Sequence, residues 1–181
     1  MSYLKNIVRI FIASFLLSHQ LTFAQANPER IGKLKAASLF YLAKFVTWPN
    51  ETVDTAKSLK VCTLGDDEIN LSIKSILSGK TVKQRELEVL FLEPRNLGNL
   101  STQCDILYLG KIDSETGFNR SFIANRSILT VSMAIDSNSC ENMVCFINSD
   151  NKLRIAIHLA ATKKAGLNVS SELLKLAEIV D

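Results

Sequence analysis

Chemistry that depends on histidine has little to draw on in this chain: its 181 residues include two, and only His158 lies beyond the first 26 positions. A hydrolytic triad would have to be assembled around that one ring. No G-x-S-x-G elbow and no Cys-x-x-Cys pair occurs, which removes the common signatures of an α/β-hydrolase and of a thiol oxidoreductase. The turn Gly65-Asp66-Asp67-Glu68 follows a predicted strand but carries three acids, the wrong sign for cradling a phosphate. With seven glycines, three prolines and no low-complexity run, a disordered linker or a repeat array is excluded as well. An excess of one charge is also missing. Without Lys5 and Arg9, the 21 basic residues fall to 19 against 18 acidic ones. A net charge near +1 makes no electrostatic case for nucleic acid or an anionic membrane, and pairs such as Lys163-Lys164 read as solvated surface.

What is present begins at the N-terminus. Lys5 and Arg9 precede the apolar run Ile10–Leu17, and a polar stretch leads to Ala24-Gln25-Ala26. A basic start, a short apolar core and a small-x-small site make a cleavable signal peptide over residues 1–26. The apolar run is about half of the roughly 20 residues a spanning helix needs, which argues against an uncleaved anchor. No cysteine stands near the site to carry a lipid. The expectation is an exported product, residues 27–181, cleaved after Ala24 or Ala26, with no further spanning segment and a length suited to one domain.

Export changes the meaning of the four cysteines, Cys62, Cys104, Cys140 and Cys145. An even number in an oxidising compartment favours two disulfides, and three connectivities are possible. A local bridge between Cys140 and Cys145 is the simplest, which would leave Cys62 with Cys104. In the chain-entropy view the long loop contributes about 4 kcal/mol and the short one about 2 kcal/mol.

Periodicity predicts a helix over 28–48, where Leu34, Ala37, Tyr41, Phe45 and Trp48 recur at helical spacing and Trp48-Pro49 stops it. Strands are predicted over 58–63, 86–92, 105–109, 128–133, 143–148 and 153–157, the last two joined by a turn at Ser149-Asp150-Asn151-Lys152. Helices are predicted over 67–78, 114–125, 159–165 and 171–180, with Ser170 as the N-cap of the last. Strands alternating with helices imply an α/β domain of three layers. Its sheet is mixed but mostly parallel, with helices on both faces and a C-terminal hairpin followed by helices.

Two groups of side chains are candidates for binding. If the last strand runs on to His158, Arg154, Ala156 and His158 share one face. They would form a polar patch suited to an anion or a partner carboxylate, or else an exposed edge arginine and a capping histidine. Tyr41, Phe45 and Trp48 are either ordinary core or interface aromatics. A metal held by Cys140, Cys145 and His158 would need a spacing that matches no common zinc pattern. No catalytic residue, metal or cofactor is expected.

The segment Lys35-Ala36-Ala37-Ser38-Leu39-Phe40-Tyr41-Leu42-Ala43-Lys44-Phe45-Val46-Thr47-Trp48-Pro49 resembles the lysine-alanine, tyrosine, phenylalanine, tryptophan-proline signature of YfiR-like periplasmic proteins. Three further blocks are similar and in order: Val61–Gly65, Gln103–Tyr108 and Ile128–Ser132. So is the end, Leu153–Leu159 through Gly166–Ala177. The resemblance covers essentially the whole chain beyond residue 26. It implies a dimeric, redox-responsive regulator that binds the periplasmic region of an inner-membrane diguanylate cyclase, holds it inactive, and so lowers cyclic di-GMP and biofilm formation. It also implies the pairs Cys62–Cys104 and Cys140–Cys145. One departure is His158, which stands where many members carry Asn. Two other readings belong to different classes: a periplasmic small-molecule-binding protein acting on another receptor such as a sensor kinase, and an exported hydrolase built on His158.

Overall fold

The computed structural model describes residues 28–49, 58–65, 69–93, 97, 103–111, 123, 126–149 and 152–180. The expected leader, the acids 66–68 and most of the expected helix 114–125 lie outside the described residues. Helix α1 (Pro28–Phe45) buries Ala36, Leu39, Leu42 and Ala43. These positions recur every three or four residues and so form one stripe. Each large side chain in that stripe contributes about 1.5–3 kcal/mol by leaving water.

The helix stops three residues short of the predicted end. Val46 and Thr47, both β-branched, form the two-residue strand β1 (Val46–Thr47), which pairs antiparallel with β9 (Asn168–Val169). Carbonyls at the helix end are then satisfied from outside the helix. Ser170 N donates to Phe45 O at 2.9 Å, and Lys83 Nζ donates to Val46 O at 2.8 Å. Partner strands, rather than local propensity, decide this boundary.

The main sheet is built from β2 (Leu59–Leu64), β3 (Thr81–Val82), β4 (Arg85–Leu92), β5 (Ile106–Leu109), β6 (Leu129–Ala134), β7 (Val144–Ser149), β8 (Lys152–His158) and β10 (Glu178–Val180). Its order is β10-β8-β7-β6-β5-β2-β4-β3. From β4 through β7 the neighbours are parallel, β8 returns antiparallel to β7, and β10 runs parallel to β8. The expected mixed, mostly parallel α/β sheet is therefore present. Interior strands such as β5 are apolar at every position because both faces are covered.

Alternation sends Val61, Ile106, Tyr108, Leu129, Val131 and Phe146 to one face, where they pack with α1 and with α2 (Ile69–Leu77). The opposite face holds Cys62, Leu64, Leu107 and Leu109 beneath Leu97, Cys104 and Ile123. Further along that same face lie Cys145, Ile147 and Ala156 beneath Cys140.

Past β8 come α3 (Leu159–Lys164), β9 and α4 (Ser171–Leu174). Ser170 caps α4 as predicted, its Oγ accepting from Leu173 N at 3.3 Å. The predicted helix over 171–180 is corrected: only its first four residues are helical, and Glu178–Val180 leaves to extend the sheet beside Ala156–His158. Gly166, with φ +75°, turns the chain between α3 and β9 directly beneath Pro49, where a Cβ would sit 2.9 Å from Pro49 Cγ.

Candidate functional site

The two disulfides are Cys62–Cys104 and Cys140–Cys145, with Cα–Cα distances of 5.7 Å in both. Cys62 on β2 and Cys145 on β7 point to the same face of the sheet, the one opposite α1 and α2. Each bridge therefore ties a covering segment down onto that face.

The second bridge sits in a densely bonded loop. Ser139 Oγ accepts from Ile135 N and Asp136 N, and Asp136 Oδ1 accepts from Ser139 N at 2.8 Å. Asn142, almost wholly buried, donates from Nδ2 to Ser132 Oγ at 2.7 Å, and Met143 N donates to Thr130 Oγ1 at 3.1 Å. His158 closes the loop from the sheet side. Its Nε2 lies 2.7 Å from Cys140 O, and since a carbonyl can only accept, that nitrogen carries the proton.

Arg154, Ala156 and His158 do share this face, because Ala156 stands opposite Cys145 in the β7–β8 ladder. Arg154 lies 3.8 Å from Glu178 across the β8–β10 pair, both side chains well exposed, an arrangement worth little. His158 is half-buried and tied to the disulfide loop through Cys140 O. Cys140 and Cys145, joined to each other, offer no thiolate to a metal. Among the described residues, no group of three His, Cys, Asp or Glu is placed to hold an ion.

The aromatic trio divides. Tyr41 is 52% exposed on the outward side of α1 and stacks on Phe45, with centroids 6.2 Å apart and planes 8° apart. Trp48 is only 6% exposed and belongs to the core. Its Nε1 donates to Asp105 O at 3.2 Å. Since α1 covers the face opposite His158 and Arg154, the structure separates the two candidate groups.

Sequence reading missed a polar node beside Trp48. Asp105 Oδ2 accepts from Lys60 N at 2.8 Å and pairs with Arg85 Nη2 at 3.4 Å; the same guanidinium nitrogen donates to Ser58 O at 2.9 Å. Arg85 is buried, so its charge must be held by these partners. A clue was available: an arginine at the head of β4 and an aspartate just before β5, the two strands that flank β2 on either side.

A family model described as YfiR/HmsC-like matches residues 32–178, which span all of these elements except the first residues of α1 and the end of β10. The chain belongs to the YfiR/HmsC-like family. YfiR/HmsC-like proteins are periplasmic regulators of cyclic di-GMP signalling, regulatory rather than catalytic in role. No curated protein matches the chain. Among the described residues, no helix is long and apolar enough to cross a membrane.

Proposed function

We propose that this YfiR/HmsC-like protein is a non-enzymatic, homodimeric inhibitor of an inner-membrane diguanylate cyclase. It is exported behind a leader spanning residues 1–26, and it binds the cyclase through that enzyme's periplasmic region. By holding the cyclase inactive it lowers cyclic di-GMP and biofilm formation. The observation that carries the reading is the pair of disulfides bracing one face of the sheet in a member of a family of periplasmic regulators.

Such an inhibitor works by binding the inactive receptor more tightly than the active one. Carrying a receptor from almost wholly active to almost wholly inactive takes a preference of about 10⁴-fold. Reduction of the disulfides removes the loop constraint that they place on the unfolded chain, destabilises the folded inhibitor and releases the receptor. Residues assigned to contact are Tyr41 and Phe45 on the helical side, with His158 holding the braced loop and Arg154 exposed on the sheet side.

Deleting the gene in a strain that carries an inner-membrane diguanylate cyclase, with cellular cyclic di-GMP as the readout, tests this directly. The expected result is a rise, reversed by the wild-type gene and less fully by a chain lacking all four cysteines. No rise would sink the inhibitor reading. Saturable binding of a small solute without receptor capture would favour a ligand sensor instead.

A further inference from the structure

Positions 30, 33, 37, 41 and 44 follow the three-and-four spacing that stacks side chains along one side of a helix. In α1 they are Arg30, Lys33, Ala37, Tyr41 and Lys44, and all except Ala37 are exposed. The only acid within Pro28–Phe45 is Glu29, and Lys33 Nζ takes it at 2.6 Å; that contact holds the Glu29 carboxyl below its usual range. Helix α2, packed beside α1, contains no acid and adds an exposed Lys74 and Leu71. The chain is near neutral as a whole, yet the described part of its helical layer is strongly cationic.

At the centre stands an ordered aromatic group. Tyr41 stacks on Phe45 and meets Phe40 edge-on at 6.2 Å. Lys44 Nζ lies 5.2 Å from the Phe45 centroid and Lys80 Nζ 5.6 Å from that of Phe40, within cation–π range. Rings fixed on a helix lose little freedom on binding, and an aromatic anchor inside a polar rim is the usual anatomy of a docking hot spot.

We infer that this α1 face is the receptor-docking surface, and that it fits an acidic protein surface with an apolar recess for Tyr41. The inference rests on the inhibitor reading above and names the partner chemistry it requires. Opposite charge steers the encounter, while the ring sets how long the complex lasts. A second copy docked stripe on stripe would set like charges against each other. A bilayer rewards apolar area, and the stripe offers one half-exposed ring that ends in a hydroxyl.

The test uses the full purified, oxidised chain and the purified periplasmic region of the inner-membrane diguanylate cyclase whose output rises when the gene is deleted. Binding kinetics are measured across a salt series for wild type, Arg30→Glu/Lys44→Glu and Tyr41→Ala. Arg30→Lys/Lys44→Arg serves as the charge-preserving control, and urea midpoints confirm that each variant is folded. The expected outcome is at least tenfold weaker binding for charge reversal, through slower association with a flatter salt dependence. Tyr41→Ala is expected to dissociate at least tenfold faster, and the control to match wild type. Folded variants that bind like wild type overturn the assignment of this face and leave the inhibitor reading standing. Wild type that fails to bind overturns both. Capture of wild type by phosphatidylglycerol-containing vesicles, lost in both variants while cyclase binding is unchanged, overturns it in favour of a lipid surface.

Discussion

The two disulfides should contribute unequally to stability, and loop length says by how much. Cys62 and Cys104 are 42 positions apart in sequence, Cys140 and Cys145 only 5. Chain entropy then assigns about 4 kcal/mol to the first bridge and about 2 kcal/mol to the second. All four side chains are buried, so the comparison is best made with alanine, which adds no buried hydroxyl. The folded loop at Cys140 should survive loss of its bridge, because His158, Ser132 and Thr130 still bond it. With a urea slope of about 2 kcal/mol/M, Cys62→Ala/Cys104→Ala should lower the midpoint by roughly 2 M and Cys140→Ala/Cys145→Ala by roughly 1 M. The slope itself should rise more in the first variant, whose unfolded chain is released over the longer loop. Urea titrations followed by circular dichroism under oxidising conditions measure both quantities. Equal midpoint shifts, or a larger one for the short loop, would refute the assignment of these bridges to unfolded-state constraint.

Arg85→Met should cost about 3 kcal/mol, since it strips a buried partner from Asp105 and from Ser58 O; a loss under about 1 kcal/mol in thermal or urea unfolding would show that the node is not holding the strand edge. Gly166→Ala should cost more than Gly79→Ala. Both have positive φ, at about 1–2 kcal/mol each, but only the first drives a Cβ into Pro49; equal losses would remove the close approach as a cause. Gln84→Gly should stabilise by up to about 1 kcal/mol, because Lys83 and Gln84 hold φ of 49° and 66° in the β3–β4 turn. No gain in the urea midpoint would place the strain elsewhere.

What could be read in advance followed from strong local pattern. Interior strands such as Ile106–Leu109 are apolar throughout, and β7 and β8 flank a polar turn, so their existence and order were legible. The elements that were missed are set by partners distant in sequence. Glu178-Ile179-Val180 continues the helical spacing of Leu173 and Leu176, yet it forms an edge strand because β8 offers an open ladder at Ala156–His158. Two-residue strands such as β1 and β9 carry no period at all. At the candidate sites, sequence could put Arg154 and His158 on one face but not show that His158 is tied to Cys140 O. Helical spacing grouped Trp48 with Tyr41 and Phe45. The early end of α1 at Phe45 turned Trp48 inward instead.

The small β1–β9 ladder also bears on the order in which the molecule can assemble. Val46 pairs with Val169, residues roughly 120 positions apart, and contacts of such span are closed late and slowly. A nascent chain would present α1 early, with Leu39, Leu42 and Ala43 seeking cover, while the segment that fastens its end is among the last to be made. The buried stripe is covered sooner, by α2 and the sheet, but the end of the helix stays unfastened until Ser170 reaches the Phe45 carbonyl. The folding of this protein should therefore finish with the closing of that clasp, a step set by the span of chain it must bring together.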